Sequence, residues 1–480
     1  MKRTIQTIIA SLLFVSPMQM AAQNTAVDFS QYTGSQVVNS DFEDWNGPDY
    51  KNVPFGWHSF ESVDGVSMYV SFAQSTAHTS KQTDGLHDGT TGTACLKLVP
   101  RSLLFALANG TISTGQMIAG DMSATSPKNH AEMDISKQAT SNGSPFYATL
   151  TQRPAAMSVW VKFTQGATNK QHPYATVSAA ITNGKYYQEP TSNNDSSVVI
   201  GYAKNNQIGT SNGQWQHLRI PFRYDSPNYN ATDEPKAIMV TFSTNADPGQ
   251  GNKNDVLLID DMELIYTHTV TIPACGFATF SNVVMNNHKI CVPEGLTAYT
   301  LDTFAQGAPI VKGVYKAGQV LPYGTAVLLK GEPGEYEFST TLYAPAETMD
   351  EGGDICLVKA EEGSNPDSNY AYYRLTEKDG VLGFYKISDT SDIKDSEALL
   401  RVKVDMASDS YEHIFLNPEV KNDVNGDGAV DVSDVTLIVN RIQEMDEDNG
   451  FMIINTDING DGRMNVADVM SLVVFLLENQ

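Results

Sequence analysis

Two twelve-residue stretches, 34 residues apart, constrain this chain more than any other feature of its sequence. The first is DVNGDGAVDVSD, Asp423–Asp434, and the second is DINGDGRMNVAD, Asp457–Asp468. Each places oxygen-bearing side chains at positions 1, 3, 5, 9 and 12, with glycine at position 6. Calcium is a hard cation that takes about 6–8 oxygens at roughly 2.3–2.6 Å in a flexible cage. Alternate side chains of a winding loop point inward, and position 7 offers its backbone carbonyl. The spacing therefore predicts one Ca²⁺ on Asp423, Asn425, Asp427, Asp431 and Asp434, with the carbonyl of Ala429. It predicts a second on Asp457, Asn459, Asp461, Asn465 and Asp468, with the carbonyl of Arg463. Gly428 and Gly462 make the sharp turns. A chance acidic turn accounts for one such loop, not for two in register. The segments that follow are helical in period: Val435, Ile438, Val439 and Ile442 recur at i, i+3, i+4, i+7, and Val469, Leu472, Val473 and Leu476 repeat the pattern.

Charge agrees with a cation-binding tail. Residues 344–480 hold 29 acidic against 10 basic residues, within a chain of net charge −25. An acidic surface repels nucleic acid and anionic membrane, which excludes both as partners. Four cysteines in 480 residues exclude a disulfide-built scaffold. Cys275 and Cys291 are the most local pair, and the sequence leaves open whether they bond.

The amino-terminal 22 residues read as an address. Lys2 and Arg3 precede the apolar run Ile8–Val15, and the small residues Ala21 and Ala22 follow, the order of a secretory signal peptide cleaved after Ala22. No segment approaches 18 continuous apolar residues, so no transmembrane segment is expected. The mature protein is predicted to be exported, to the periplasm, the cell surface or the medium.

Between address and tail the chain reads as β-structure. Residues 23–267 carry short strands such as AAMSVWVKF, ATVSAAI and AIMVTF, divided by Gly/Asn/Asp turns. That pattern predicts a jelly-roll β-sandwich. Residues 268–416 form a second all-β, sandwich-like block, and residues 421–480 a small α-helical module. The fold class is therefore mainly β with a helical calcium-binding tail.

The duplicated loop-plus-helix, with no entering helix before either loop, resembles a type I dockerin module over about Lys421 to Gln480. The resemblance implies calcium-dependent docking, with cohesins as the usual partners. It also implies partner contacts at loop positions 10 and 11 and helix positions 18 and 19. Those are Val432, Ser433, Asn440 and Arg441 in the first copy, and Val466, Ala467, Val474 and Phe475 in the second. The second copy lacks the hydroxyl and basic contacts, and its helix is apolar on nearly every side. A docking face is expected there, around Val474 and Phe475, covered by a cohesin-like protein or by the chain's own β-blocks.

The segments NSDFEDW (39–45), VPFGW (53–57) and NGTISTG (109–115) resemble the PCMD family, a carbohydrate-metabolism domain of Bacteroidetes, over about residues 35–267. This implies a jelly roll that handles a polysaccharide or other glycan. Many carbohydrate-binding jelly rolls open with N-x-x-F-E and close on a strand containing D-D. The likeness implies that Glu43 and Asp260 (or Asp261) share a structural calcium; the alternative is a carboxylate pair that never meets. Of the four tryptophans, Trp160 is expected in the core and Trp57, in a Pro/Gly loop, on the surface as a sugar-stacking candidate. The middle block resembles β-domains that recur in secreted Bacteroidetes proteins, with no assigned function.

Catalytic motifs fail. GTSNG (209–213) has the form G-x-S-x-G, but a strand follows it rather than the helix that a nucleophile elbow requires. There is no H-E-x-x-H and no C-x-x-C, and the nine histidines show no metal-ligand spacing. The favoured expectation is an exported, non-catalytic carbohydrate-binding protein with a calcium-dependent docking tail. One alternative is a glycoside hydrolase using carboxylates of the first domain, since that chemistry needs only two. The other is a structural surface protein whose tail docks on itself.

Overall fold

The computed structural model describes residues 27–45, 52–103, 106–137, 144–190, 196–230, 232–282, 288–305, 308–343, 355–359, 369–378, 381–387, 397–403, 413–415, 422–424, 430–444, 452–453, 456, 458–459 and 464–478. The expected signal peptide lies outside them. The described chain is mainly β, with seven sheets and a helical C-terminal region.

Among the described residues the first sandwich is built of β1 (Thr79–Gln82), β2 (Cys95–Leu98), β3 (Thr111–Ser113), β4 (Ala156–Thr164), β5 (Ala175–Thr182), β6 (Val199–Ile208), β7 (Gln216–Pro221), β8 (Ala237–Ser243) and β9 (Val256–Ile265), with the short Ala148–Thr149 paired to β8. One sheet runs β7-β4-β9-β2-β1 and the other β6-β5-β8-β3. The period of two decides what each face carries. β4 buries Met157, Val159, Val161 and Phe163 between the sheets, and β5 buries Ala175, Val177, Ala179 and Ile181 against them. The intervening residues, Ser158, Trp160 and Lys162 on β4 and Thr176 and Ser178 on β5, face away from this core. GTSNG is the turn between β6 and β7, with Asn212 and Gly213 both at positive φ.

Two tryptophan expectations are corrected. Trp57 is 1% exposed, inside the sandwich core against Phe42 and Phe242 at ring-centroid distances of 5.2 and 6.1 Å. The Asn39 side chain draws its loop inward, donating to the carbonyls of Asp44 and Phe55, and Trp57 donates its indole N–H to the Asn39 carbonyl at 3.2 Å. Trp160 is half-buried on the outer face of its sheet, stacked between His87 and His217 at 4.4 and 4.6 Å.

The outer face of β6-β5-β8-β3 is partly roofed. A smaller sheet (Asp64–Gly65, Gln116–Ala119, His130–Met133, Tyr187–Glu189) and helix α1 (Ser67–Gln74) lie over it. Met117, Met133, Tyr187 and Met239 form the core between these layers.

Strand Thr267–Ile272 follows β9 after a single residue and opens the second β-block. Two of its sheets enclose Phe280 and Phe338, stacked at 4.8 Å, and a third sheet is built on Tyr370–Lys378. Cys275, in the turn before strand Phe277–Ser281, and Cys291, at the end of strand Lys289–Cys291, are free thiols.

The tail holds helices α2 (Val432–Glu444) and α3 (Val466–Glu478). Its buried Val424, Ile438, Met464 and Leu472 belong to one cluster with Tyr299, Leu328, Tyr373 and Phe384 of the second β-block. The segment Met452–Ile453, between the two loops, pairs antiparallel with Ile310 and Val311 and extends that block's sheet. The tail is thus seated on its own chain along one side.

Candidate functional site

A cavity of about 370 Å³ lies between the first sandwich and its roof. Its floor is the outer face of β6-β5-β8-β3, supplying Thr176, Ser178, Tyr202, Lys204, Thr241 and Ser243. Its walls include Phe60, Tyr69 and Phe72, with Asn109, Asn129 and Asn245 at the loops. Apolar and aromatic walls with a few convergent polar groups are the usual make-up of a small-ligand site. Asp121 and Glu189 are its carboxylates. Ser178 and Tyr187 donate their hydroxyls to Glu189, the latter at 2.8 Å, and Tyr202 bonds it as well. Asp121 accepts from the Ser123 backbone N–H at 3.0 Å, and hydrogen bonds from Ser123 and Ser126 hold it below the ordinary carboxylate range. A general acid for glycoside cleavage needs the opposite shift.

Of the cavity residues just named, only Asn109 falls in a segment that carries a family resemblance, NGTISTG (109–115). The signal was there in part, as polar residues at alternate positions 176 and 178, 202 and 204, and 241 and 243. One-dimensional alternation shows that a face is polar, not that a second layer will roof it.

The tail loops are closed from below by their last residue. Asp434 is fully buried and accepts from the backbone N–H groups of Val424 at 2.7 Å and Asp431 at 2.8 Å. Asp468, equally buried, accepts from Ile458 at 2.9 Å, Asn459 at 3.2 Å and Asn465 at 2.8 Å. At position 9, Asp431 accepts from the Ser433 N–H at 2.6 Å, and Asn465 from Ala467 at 2.8 Å. The same hydrogen bonds recur 34 residues later, so the sequence repeat is a geometric repeat. Asp423 is buried as well. Asn425, Asp427, Ala429, Asp457, Asp461 and Arg463 lie outside the described residues. The donors in place are hard oxygens, three of them buried carboxylates, which is the chemistry calcium requires.

Residues 421–477 match the dockerin type I domain. Domains of this type typically bind calcium, which supports a calcium-dependent docking tail, and cohesin-type proteins are the partners it implies. No curated protein matches the chain. Among solved structures, a "putative glycoside hydrolase" from Bacteroides thetaiotaomicron is similar at TM-score 0.34 and 18% identity, over 47% of this chain and 70% of that one. So distant a likeness bears no functional argument.

On the dockerin domain, Val474 is exposed and Phe475 is half-buried against the shared core. Phe475 therefore leaves the expected docking face.

In the sandwich, Glu43 and Asp260 have separate tasks. Glu43 accepts from the backbone N–H groups of Thr93 at 2.6 Å and Ala94 at 2.8 Å, and from the Thr93 hydroxyl at 2.6 Å, tying down the start of β2. Asp260 lies instead in a buried group with Asp261 and His87. Among the described residues, no helix is long and apolar enough to cross a membrane.

Proposed function

We propose that this chain binds a polysaccharide or other glycan without cleaving it, and that the dockerin domain fixes it to a protein partner outside the cytoplasm. The observation carrying the binding half is the roofed cavity, whose aromatic walls suit sugar C–H faces and whose floor offers hydroxyl, amide and charged partners to sugar hydroxyls. Against hydrolysis stand its two carboxylates: Glu189 is engaged by hydroxyl donors, and Asp121 is held on the ionised side. Isothermal titration of the full chain with a broad glycan panel, with reducing-sugar release followed in parallel, tests this. Lys204→Ala and Glu189→Gln should weaken a binding glycan about tenfold or more. Equal affinity in both variants would move the site elsewhere, and sugar release would make the chain an enzyme.

The docking surface we assign to α3. Val466, Met470, Val474 and Leu477 are 63, 58, 46 and 67% exposed and recur at i, i+4, i+8 and i+11, one stripe of the helix. The opposite face, with Leu472, is seated on the second β-block. This arrangement supports both earlier readings of the tail, since one side docks on its own chain and the other is left for a cohesin-type partner. Two calcium ions, one per loop, would hold the helices in these orientations.

A further inference from the structure

The alternation of β9 breaks in its middle. Leu257 and Ile259 face the sandwich core, and so do Met262 and Leu264, which leaves two consecutive residues, Asp260 and Asp261, between them. On the partner strand Ser158 pairs with Glu263 but Trp160 pairs with Asp260, so a bulge falls opposite Val159. Asp261 takes a φ of +42°, a left-handed conformation that is strained for a residue with a Cβ. An extra residue at that conformation lets two neighbouring carboxylates converge, which a regular strand forbids.

They converge on His87. Its Nε2 is 2.9 Å from Asp261 Oδ2 and 3.9 Å from Asp260 Oδ2, and one ligand atom from each residue lies within 4.8 Å of the others. All three residues are buried. Oδ2 of Asp260 and Oδ1 of Asp261 are buried with no hydrogen-bond partner. Among the described residues neither carboxylate pairs with a lysine or arginine. The other ring nitrogen of His87, Nδ1, faces the Asp88 carbonyl at 2.9 Å. A carbonyl only accepts, so Nδ1 carries a proton and donates it. Nε2 is the ring nitrogen turned toward the two carboxylates, and a cation seated between them would engage it together with the unpartnered oxygens of Asp260 and Asp261. A backbone carbonyl fixing the second ring nitrogen is how metal-bound histidines are commonly oriented.

We propose that His87, Asp260 and Asp261 hold a divalent transition-metal ion, of the zinc class, in the first domain. Nitrogen and oxygen ligands at about 2.0–2.2 Å from one ion stand roughly 3 to 4 Å apart, the separations found here. The imidazole points away from calcium and magnesium, which take oxygen. Glu43 is outside this converging group, and its carboxylate accepts from Thr93 and Ala94. The ion would pin the loop bearing His87 to β9, under Trp160, which stacks on the ring, and Trp215, whose ring centroid is 5.7 Å away.

Zinc is the probe. Full-length protein stripped with chelator is kept in excess calcium, so that the dockerin loops are filled, then given Zn²⁺, desalted and assayed for metal by mass spectrometry. One zinc per chain is expected, with a change in tryptophan emission from Trp160 and Trp215. His87→Gln and Asp261→Asn should each weaken zinc binding by more than about 100-fold. Thermal melts in chelator check that the variants fold. Should either variant fail to fold, Co²⁺ is read on the wild type, where visible absorption bands in the presence of calcium are expected. Zinc absent from the wild type, zinc retained equally by folded variants, no cobalt bands, or a third calcium taken in its place would overturn the proposal.

Discussion

Replacing Asp468 by alanine should disable the second calcium loop while leaving the first in place. The carboxylate is fully buried and accepts three backbone N–H groups, from Ile458, Asn459 and Asn465. A hydrogen bond to a charged acceptor contributes about 1.5–3 kcal/mol, and removing the acceptor leaves its donors unmet. The three bonds share two oxygens, and Asn459 is exposed enough to regain water, so the full sum is not lost. A net loss of about 3 kcal/mol in holding the loop closed is the working figure. Loop closure and ion binding are linked, so at about 1.4 kcal/mol per tenfold the calcium affinity drops by roughly two orders of magnitude. Loss of a direct oxygen ligand adds to this, which makes the figure a lower bound. Isothermal titration of chelator-treated full-length protein with calcium should show two binding events in the wild type and one in the variant. Asp434→Ala, which removes the acceptor of Val424 and Asp431, should show the converse. An unaltered two-event isotherm in Asp468→Ala would refute the reasoning.

Further expectations follow from burial. Trp57→Ala should cost about 3–5 kcal/mol of stability, seen as a lower urea midpoint, because the side chain fills the sandwich core rather than meeting ligand. Leu472→Ala should cost about 2–5 kcal/mol locally, releasing the tail to limited proteolysis in calcium while the first sandwich melts unchanged. Burial pushes His58 down to about 4. Below pH 6.5 the unfolded chain takes up a proton that folded His58 refuses, so stability is full above about 6.5 and falls toward pH 4, by about 3 kcal/mol. Gln in its place can still donate to the Pro145 carbonyl, so His58→Gln should flatten that acid limb in melts from pH 8 to 4. Parallel curves would contradict it.

The dockerin loops were legible because metal ligation by a short loop is local: five oxygens and a glycine at fixed offsets state the geometry outright. The β-class was legible from alternation and turns for the same reason. What escaped depends on contacts distant in sequence. Trp57 read as a loop residue because only the clasp of Asn39 on Phe55 and Asp44 shows the loop folding inward. Trp160 read as core because nothing local says that His87 and His217 will stack on it outside the sheet. His87 and Asp261 are 174 residues apart, and no ligand-spacing rule reaches that far. The register break that aims Asp260 and Asp261 to one side looks in sequence like an ordinary apolar strand with two acids.

A chain that takes glycan into its roofed cavity while held by a dockerin domain should bind sugar without cutting it. Titration of full-length protein with a glycan panel, run in calcium and with reducing ends counted, is the check. Saturable binding with no new reducing ends, weakened about tenfold by Lys204→Ala, is the predicted result. Hydrolysis, or binding indifferent to Lys204 and Glu189, would contradict it.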